Sequence, residues 1–288
     1  MVLFTEKDPL KKVLSDKRNK SLNVAGNYKL GFVPTMGALH NGHLSLVQKA
    51  VAENDTVVVS IFVNPTQFNN TADLKKYPRN LEKDLALLEG FQKDLIVFIP
   101  EVADLYGQNI ISNSYDFGSL ENEMEGKHRT GHFDGVGTVL SKFFQIINPD
   151  RAYFGEKDFQ QLQIVKKLVS IENFPTEIVG CPILREENGL AMSSRNQRLS
   201  DKQFKNASII YKTLMEVREK FEKTSIDQLN QMVAERFLQN PDIKLEYFEI
   251  ANEDTLKTAT HKNGTVNYRA FIAAYVGEVR LIDNMPLN

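Results

Sequence analysis

The run Val57-Val-Val-Ser-Ile-Phe-Val63 constrains the fold of this chain more than any other feature. It is short and rich in β-branched residues, and it lacks the apolar–polar alternation of a strand with one wet face. Such a strand is covered on both faces, which is the condition of a parallel sheet held between two helical layers. The flanking sequence supplies the crossovers. Leu30 to Val33 reads as a strand, Gly42 to Glu53 as a helix, Leu81 to Leu88 as a helix and Leu95 to Ile99 as a strand. The pattern resumes with Val136 to Ile147 as helix, Ala152 to Phe154 as strand, Gln161 to Ser170 as helix and Glu177 to Leu184 as strand. This alternation predicts an α/β fold, a doubly wound parallel sheet of Rossmann-like type.

Beyond Arg195 the grammar changes. Ser200 and Gln203 form a capping-box pair ahead of apolar positions Phe204, Ala207, Ile210, Leu214, Val217 and Phe221, which predicts an amphipathic helix. A second helix over Ile226 to Leu238 precedes alternating strands near Lys244 to Ile250, Tyr268 to Val276 and Val279 to Ile282. The expected division is a nucleotide-binding domain over residues 1–184 and a smaller C-terminal α+β domain over 185–288. The hinge is expected between Cys181 and Ser200, with ligands in the cleft.

The 35 Lys and Arg against 37 Asp and Glu leave a net charge of −2, so the basic excess of a typical nucleic-acid binder is missing, although a local basic patch stays open. With no apolar run long enough to span a bilayer and no secretory leader, the expected location is the cytoplasm. The one cysteine, Cys181, lies in a buried-strand pattern and reads as packing rather than as a nucleophile.

Three segments carry chemistry. Val33-Pro-Thr-Met-Gly-Ala-Leu-His-Asn-Gly-His43 runs from a strand through a glycine-spaced turn to a helix start. Gly37 and Gly42 would admit close backbone approach, orphan helix amides would face an anion, and His40 and His43 share one face of the first turn. A metal pair and a solvated helix start are the competing readings; the first lacks the glutamate and companion ligands of a zinc site. Phe154-Gly-Glu-Lys-Asp-Phe-Gln-Gln161 is a second strand–turn–helix junction, with Lys157 suited to phosphate oxygens and Asp158 to a cap or a ribose. A capped helix start with a surface ion pair is its plain alternative. Leu190-Ala-Met-Ser-Ser-Arg-Asn196 follows the turn Glu186 to Gly189 and gathers two hydroxyls and a guanidinium, donors that tighten as charge builds on phosphorus. A polar linker is the alternative there.

A His-x-Gly-His turn after the first strand and a Met-Ser-Ser-Arg loop beyond the last resemble the paired signatures of the nucleotidylyl-transferring superfamily that includes class I aminoacyl-tRNA synthetases. Together with Ser60-Ile-Phe-Val-Asn-Pro-Thr-Gln-Phe68 and Tyr77-Pro-Arg79, the three segments resemble the pantoate:β-alanine ligase family up to about residue 200, and less closely beyond it. The resemblance implies a reaction in two halves. ATP and pantoate give pantoyl adenylate and pyrophosphate, with Mg²⁺ bridging ATP phosphates, and the amine of β-alanine then displaces AMP. It implies an ATP site of Met36, Gly37, Ala38, Leu39, His40, Asn41, Gly42 and His43, then Gly155, Glu156, Lys157 and Asp158, then Met192, Ser193, Ser194 and Arg195. Leu184 would supply a backbone contact to adenine. His40, His43, Lys157, Ser193, Ser194 and Arg195 form the implied catalytic set, with His43 the proton donor and no protein-bound metal. Gln67 and Gln161 correspond to pantoate ligands, with Asn64 shaping the same wall.

By the same resemblance the partners are pantoate and β-alanine, with no nucleic acid and no membrane, in a homodimer whose C-terminal domain forms a lid. Arg129 and His132 fall in a family-like segment, with substrate contact, dimer contact and loop packing all open. Tyr77-Pro-Arg79 reads as fixing a loop and helix start, and His128 and His261 have no partner logic. Thr66 stands where the family commonly has Met. Two other functions compete: a nucleotidyltransferase with another acceptor, and a silent nucleotide binder.

Overall fold

A computed structural model describes residues 1–22, 28–68, 74, 77–91 and 95–288. Its contacts divide the chain into two compact units. One comprises residues 1–117, 129–156 and 164–181, and the other 118–128, 157–163 and 182–288. The last crossing, at Pro182, lies close to the expected boundary after residue 184. Two short stretches from the first two-thirds of the chain nevertheless group with the C-terminal unit, an exchange that division by chain position cannot express.

The first unit is built on a parallel sheet of β1 (Val2–Phe4), β2 (Leu30–Thr35), β3 (Thr56–Ile61), β4 (Leu95–Phe98), β5 (Arg151–Gly155) and β6 (Glu177–Cys181), in the order β1-β4-β3-β2-β5-β6. Among the described residues, the helices of this part of the chain are α1 (Lys7–Leu22), α2 (Asn41–Glu53), α3 (Leu81–Leu88), α4 (Val102–Tyr106), α5 (Met124–His128), α6 (His132–Ile147) and α7 (Phe159–Ile171). Alternate strand residues feed opposite layers. Val33, Val57, Val59 and Val97 pack with Leu46, Val47 and Leu88 of α2 and α3. On the other face Phe32 lies 5.5 Å from Phe143 and 6.2 Å from Phe144, and Phe98 lies 6.0 Å from Phe143, so α6 seals it with aromatic rings. Burying each such side chain contributes about 1.5–3 kcal/mol.

The elements β1 and α1 have no counterpart in the sequence reading. β1 is too short to show a period, and half of α1 is charged, with Leu10 and Leu14 as its buried pair. Chain order reverses between β2 and β5, whose register pairs, Gly31↔Arg151 and Phe32↔Ala152, lie at their amino-terminal ends. The turns after both strands therefore leave the carboxyl edge of the sheet at its topological switch point, where sheets of this kind take ligands.

In the second unit α8 (Asp201–Lys220) and α9 (Ile226–Leu238) cover an antiparallel sheet of β7 (Ile243–Asn252), β8 (Tyr268–Val276) and β9 (Val279–Pro286). Capping boxes at Ser200/Gln203 and Ser225/Gln228 start the two helices. β8 is buried almost throughout instead of alternating. Its second face is covered too: Phe271 meets Phe159 at 6.0 Å, and the Arg269 guanidinium lies 3.9 Å from the centre of the Phe159 ring. This contact explains why the start of α7 groups with the C-terminal unit.

Candidate functional site

The turn after β2 is held in an uncommon backbone conformation. Gly37 and Ala38 have φ of +79° and +50°, the second costing an L-residue roughly 1–2 kcal/mol. Asp84 on α3, 2% exposed, holds it there, accepting from the amides of Ala38 at 2.9 Å and Leu39 at 2.7 Å. Sequence reading missed Asp84, which resembles any acid in a first helical turn; the available signal was its position four residues before the buried Leu88, on the inward face.

His40 caps α2. Its Nδ1 accepts from the Gly42 amide at 3.1 Å, and Nδ1 of His43 accepts from the His40 amide at 3.4 Å, with the two rings 4.1 Å apart. An Nδ1 that accepts carries no proton, so each neutral ring bears its N–H at Nε2, where it is a donor. The amides of Ala38, Leu39, Gly42, His43 and Leu44 are engaged within the protein. Orphan amides were the expectation; these amides are instead satisfied within the protein.

In the same unit the short turn Pro65–Gln67 follows β3. Asn64, 1% exposed, receives the Tyr106 hydroxyl at 2.6 Å and donates to Gln67 Oε1 at 3.2 Å and to the Gly135 carbonyl at 3.0 Å. Gln67 is thereby oriented, and its Nε2 also reaches Met36 Sδ at 2.9 Å. The Gln67 carbonyl accepts from Nδ1 of His132 at 2.8 Å and from Arg129 at 3.4 Å, so both residues brace the Gln67 backbone. The Thr66 hydroxyl contacts Asn64 Oδ1 and the Tyr106 hydroxyl, each at 3.1 Å, a polar tether between this turn and α4.

In the second unit Lys157 lies in the turn Glu156–Asp158, its ammonium 3.6 Å from Asp158. Gly155, which ends β5 in the first unit, has no atom of a described residue other than its chain neighbours within 4 Å of the point a Cβ would occupy. Gln161 is partly buried on α7. Residues 184–192 form a hairpin: Met192 N–H donates to the Leu184 carbonyl at 3.0 Å and Glu186 N–H to the Leu190 carbonyl at 2.8 Å. Ser193 then caps the turn Ser194–Arg198 by accepting from the Arg195 amide at 3.3 Å. Ser194 is buried, with Met192 and Arg195 partly exposed. The expected residues thus divide, with Met36 to His43, Asn64 and Gln67 in the first unit and Lys157, Asp158, Gln161 and Met192 to Arg195 in the second.

His128 stacks on Tyr247 with ring centres 5.6 Å apart, and His261 meets the Thr260 hydroxyl at 2.9 Å, so both have structural partners. Asn80 caps α3 through the Lys83 amide at 3.0 Å, just after Tyr77-Pro-Arg79, consistent with a loop-fixing role. Among the described residues no group of three or more His, Cys, Asp or Glu is placed to hold a metal ion, and no helix is long and apolar enough to cross a membrane.

Cys181 is 3% exposed at the end of β6, and burial pushes its thiol from the ordinary 9.0 up to about 11. Burial also pushes the Tyr153 phenol from 10.0 to about 12. Both groups ionise first in the unfolded chain, so the stability their neutral burial contributes is complete below pH 9 and is lost between about pH 9 and 12. The expected result is a urea midpoint that falls across that window, and by a smaller amount in Cys181→Ala; a flat profile would refute this.

A parallel sheet with a histidine-capped turn at its switch point defines a Rossmann-like α/β protein. The profile of the pantoate–beta-alanine ligase family matches residues 3–286. Pantothenate synthetase of Christiangramia forsetii is 52% identical over the full length of both chains, and that of Flavobacterium psychrophilum is 54% identical over 90% of this chain and 92% of its own. Among solved structures, pantothenate synthetase from Thermus thermophilus superposes with a TM-score of 0.88 at 38% identity, covering 100% of this chain and 99% of the other. The Francisella tularensis pantoate–beta-alanine ligase, complexed with beta-gamma ATP and beta-alanine, gives 0.78 at 36% identity over 100% of this chain and 98% of that one. The chain belongs to the pantoate–beta-alanine ligase family.

Proposed function

We propose that this chain joins pantoate to β-alanine at the expense of ATP, through a pantoyl adenylate, releasing pyrophosphate and AMP. The observation that carries the reading is the histidine pair at the switch point, whose two Nδ1 atoms both accept within the turn and so put the ring N–H at Nε2, in a chain that matches the family over residues 3–286. The difficulty of the first half-reaction is electrostatic: a carboxylate attacks an anionic α-phosphorus, so donors and cations must meet charge that grows in the transition state. His40 and His43 supply Nε2–H hydrogen bonds to phosphate oxygens as charge moves onto the departing pyrophosphate. Lys157, Ser193, Ser194 and Arg195 supply the cations and hydroxyls. Gln67 and Gln161 bind pantoate through amides that both donate and accept. Asn64, with both its amide atoms engaged within the protein, serves by orienting Gln67.

Mg²⁺ is assigned to the ATP phosphates, in keeping with its preference for phosphate and water oxygens over an all-protein cage. The family resemblance also assigns a homodimer working in the cytoplasm. The testing experiment is pyrophosphate release from ATP and Mg²⁺ across a panel of carboxylates, with and without β-alanine, followed by mass detection of product. Pantoate-dependent release with pantothenate and AMP formed together is expected. Activity with another acid alone would reject the substrate, and no release with any acid would favour a silent nucleotide binder. Lys157→Ala is expected to lower adenylate formation by about 10²-fold or more, the scale of losing one preorganised charge-stabilising group; an unchanged rate would remove the role given to Lys157.

A further inference from the structure

Two adjacent residues of β9 are buried and charged or polar, and sequence reading assigned them nothing. Asp283 and Asn284 are 3% and 2% exposed. Asp283 pairs with Arg185 through both carboxylate oxygens, at 2.6 and 3.1 Å. Arg185 opens the 184–192 hairpin: it donates to the Gly189 carbonyl at 3.0 Å, lies 4.4 Å from the centre of the Tyr211 ring, and bridges Ala191 across the hairpin. The hairpin runs directly into Ser193, Ser194 and Arg195. On the other branch Asn284 Nδ2 donates to the Lys157 carbonyl at 2.9 Å, while Asn284 Oδ1 accepts from Arg269 at 2.6 Å. Arg269 is itself fixed by Glu253 at 2.7 Å and by the Phe159 ring. The branches meet where Asp283 Oδ1 accepts from the Asn284 amide at 2.8 Å.

We propose that Asp283 and Asn284 form one latch that sets the Lys157 turn and the Ser193–Arg195 turn at a fixed separation, so that β9 positions both groups of phosphate-directed side chains without touching the nucleotide. The inference rests on the roles given above to Lys157 and to Ser193–Arg195. Two turns that arise far apart in sequence have no local reason to keep a fixed spacing, and a buried bidentate ion pair beside a doubly bonded amide resists displacement. Displacement of a positioning element by about 1 Å is enough to lower a rate by about 10²-fold.

The test uses the full-length enzyme. Asn284→Asp keeps an oxygen toward Arg269 and removes the donor to the Lys157 carbonyl, and Asp283→Asn keeps the shape and removes the charge paired with Arg185. Each is expected to lower kcat/KM for ATP in pyrophosphate release by about 10- to 100-fold, with the KM values for pantoate and β-alanine changed less than about twofold. In the double variant the loss is expected to fall well short of the product of the single losses. In a Lys157→Ala background Asn284→Asp is expected to add little. Multiplicative losses would show two independent struts and overturn the latch. A lowered melting temperature with unchanged kinetics of the folded enzyme would reduce both residues to a structural role and overturn it as well. If a variant fails to fold, Arg185→Lys perturbs the hairpin branch from outside β9 and takes the same readouts. Unaltered rates in Lys157→Ala alone would instead strike the underlying site reading, which keeps the two failures apart.

Discussion

Replacing Asp84 by alanine is expected to cut adenylate formation by at least about 10²-fold, as a misplaced catalytic turn does, although Asp84 itself is buried beneath the turn. The substitution takes the carboxylate acceptor away from the buried amides of Ala38 and Leu39, at about 1–3 kcal/mol each. It also removes what holds Ala38 at φ +50°. The turn then relaxes toward ordinary backbone angles, and His40 and His43, which begin the helix that follows it, lose their place. Asp84→Asn retains an acceptor for one amide and presents an N–H to the other, so an intermediate loss is expected. Pyrophosphate release at saturating pantoate, with melting temperature alongside, gives the readout. Full activity in Asp84→Ala would sink the assignment of Asp84 as the support of the turn.

The second large effect is expected at Gly135. Glycine to alanine within a helix ordinarily stabilises by about 1 kcal/mol. Here the sign reverses, because a Cβ at Gly135 would stand 2.4 Å from the Thr66 carbonyl oxygen and 2.8 Å from the Gln67 Cα, both backbone atoms. α6 cannot yield easily, since Phe143 and Phe144 anchor it against the sheet. The Pro65–Gln67 turn is therefore pushed away, and the Asn64 bond to the Gly135 carbonyl is strained. Gly135→Ala is expected to destabilise by about 1–3 kcal/mol, the usual range for overpacking. The KM for pantoate is expected to rise about tenfold or more as Gln67 loses its orientation, with the KM for ATP little changed. A stable variant with normal pantoate kinetics would show that the turn adapts without consequence.

Both predictions depend on residues whose importance is tertiary. The histidine turn, the lysine turn and the Ser-Ser-Arg loop, which remain proposed sites, stand out in the sequence because glycine spacing and clustered donors are local signals. The helices of the C-terminal part were legible because their capping boxes and apolar stripes lie within single segments: α9 runs over Ile226–Leu238, the bounds expected from sequence. Asp84, Asp283 and Asn284 were not legible. Each looks like an ordinary polar residue until the fold brings it to a partner 45, 98 or 127 positions away. His132 and Arg129 stood between several roles for the same reason, as their shared acceptor, the Gln67 carbonyl, is 65 and 62 residues distant.

Sequence alone determined the parallel doubly wound sheet, since runs such as Val57 to Ile61 are stable only when both faces are covered and the intervening helices are the available cover. It also singled out the short segments that are proposed to carry the chemistry. Tertiary structure decided how those segments are held. It placed the β2 and β5 turns at the switch point, lent residues 118–128 and 157–163 to the C-terminal unit, and chose the buried partners that fix each turn. The physical reason is range: periodicity and capping act within a few residues, whereas a buried amide or carboxylate is satisfied by whatever the completed fold brings within about 3 Å.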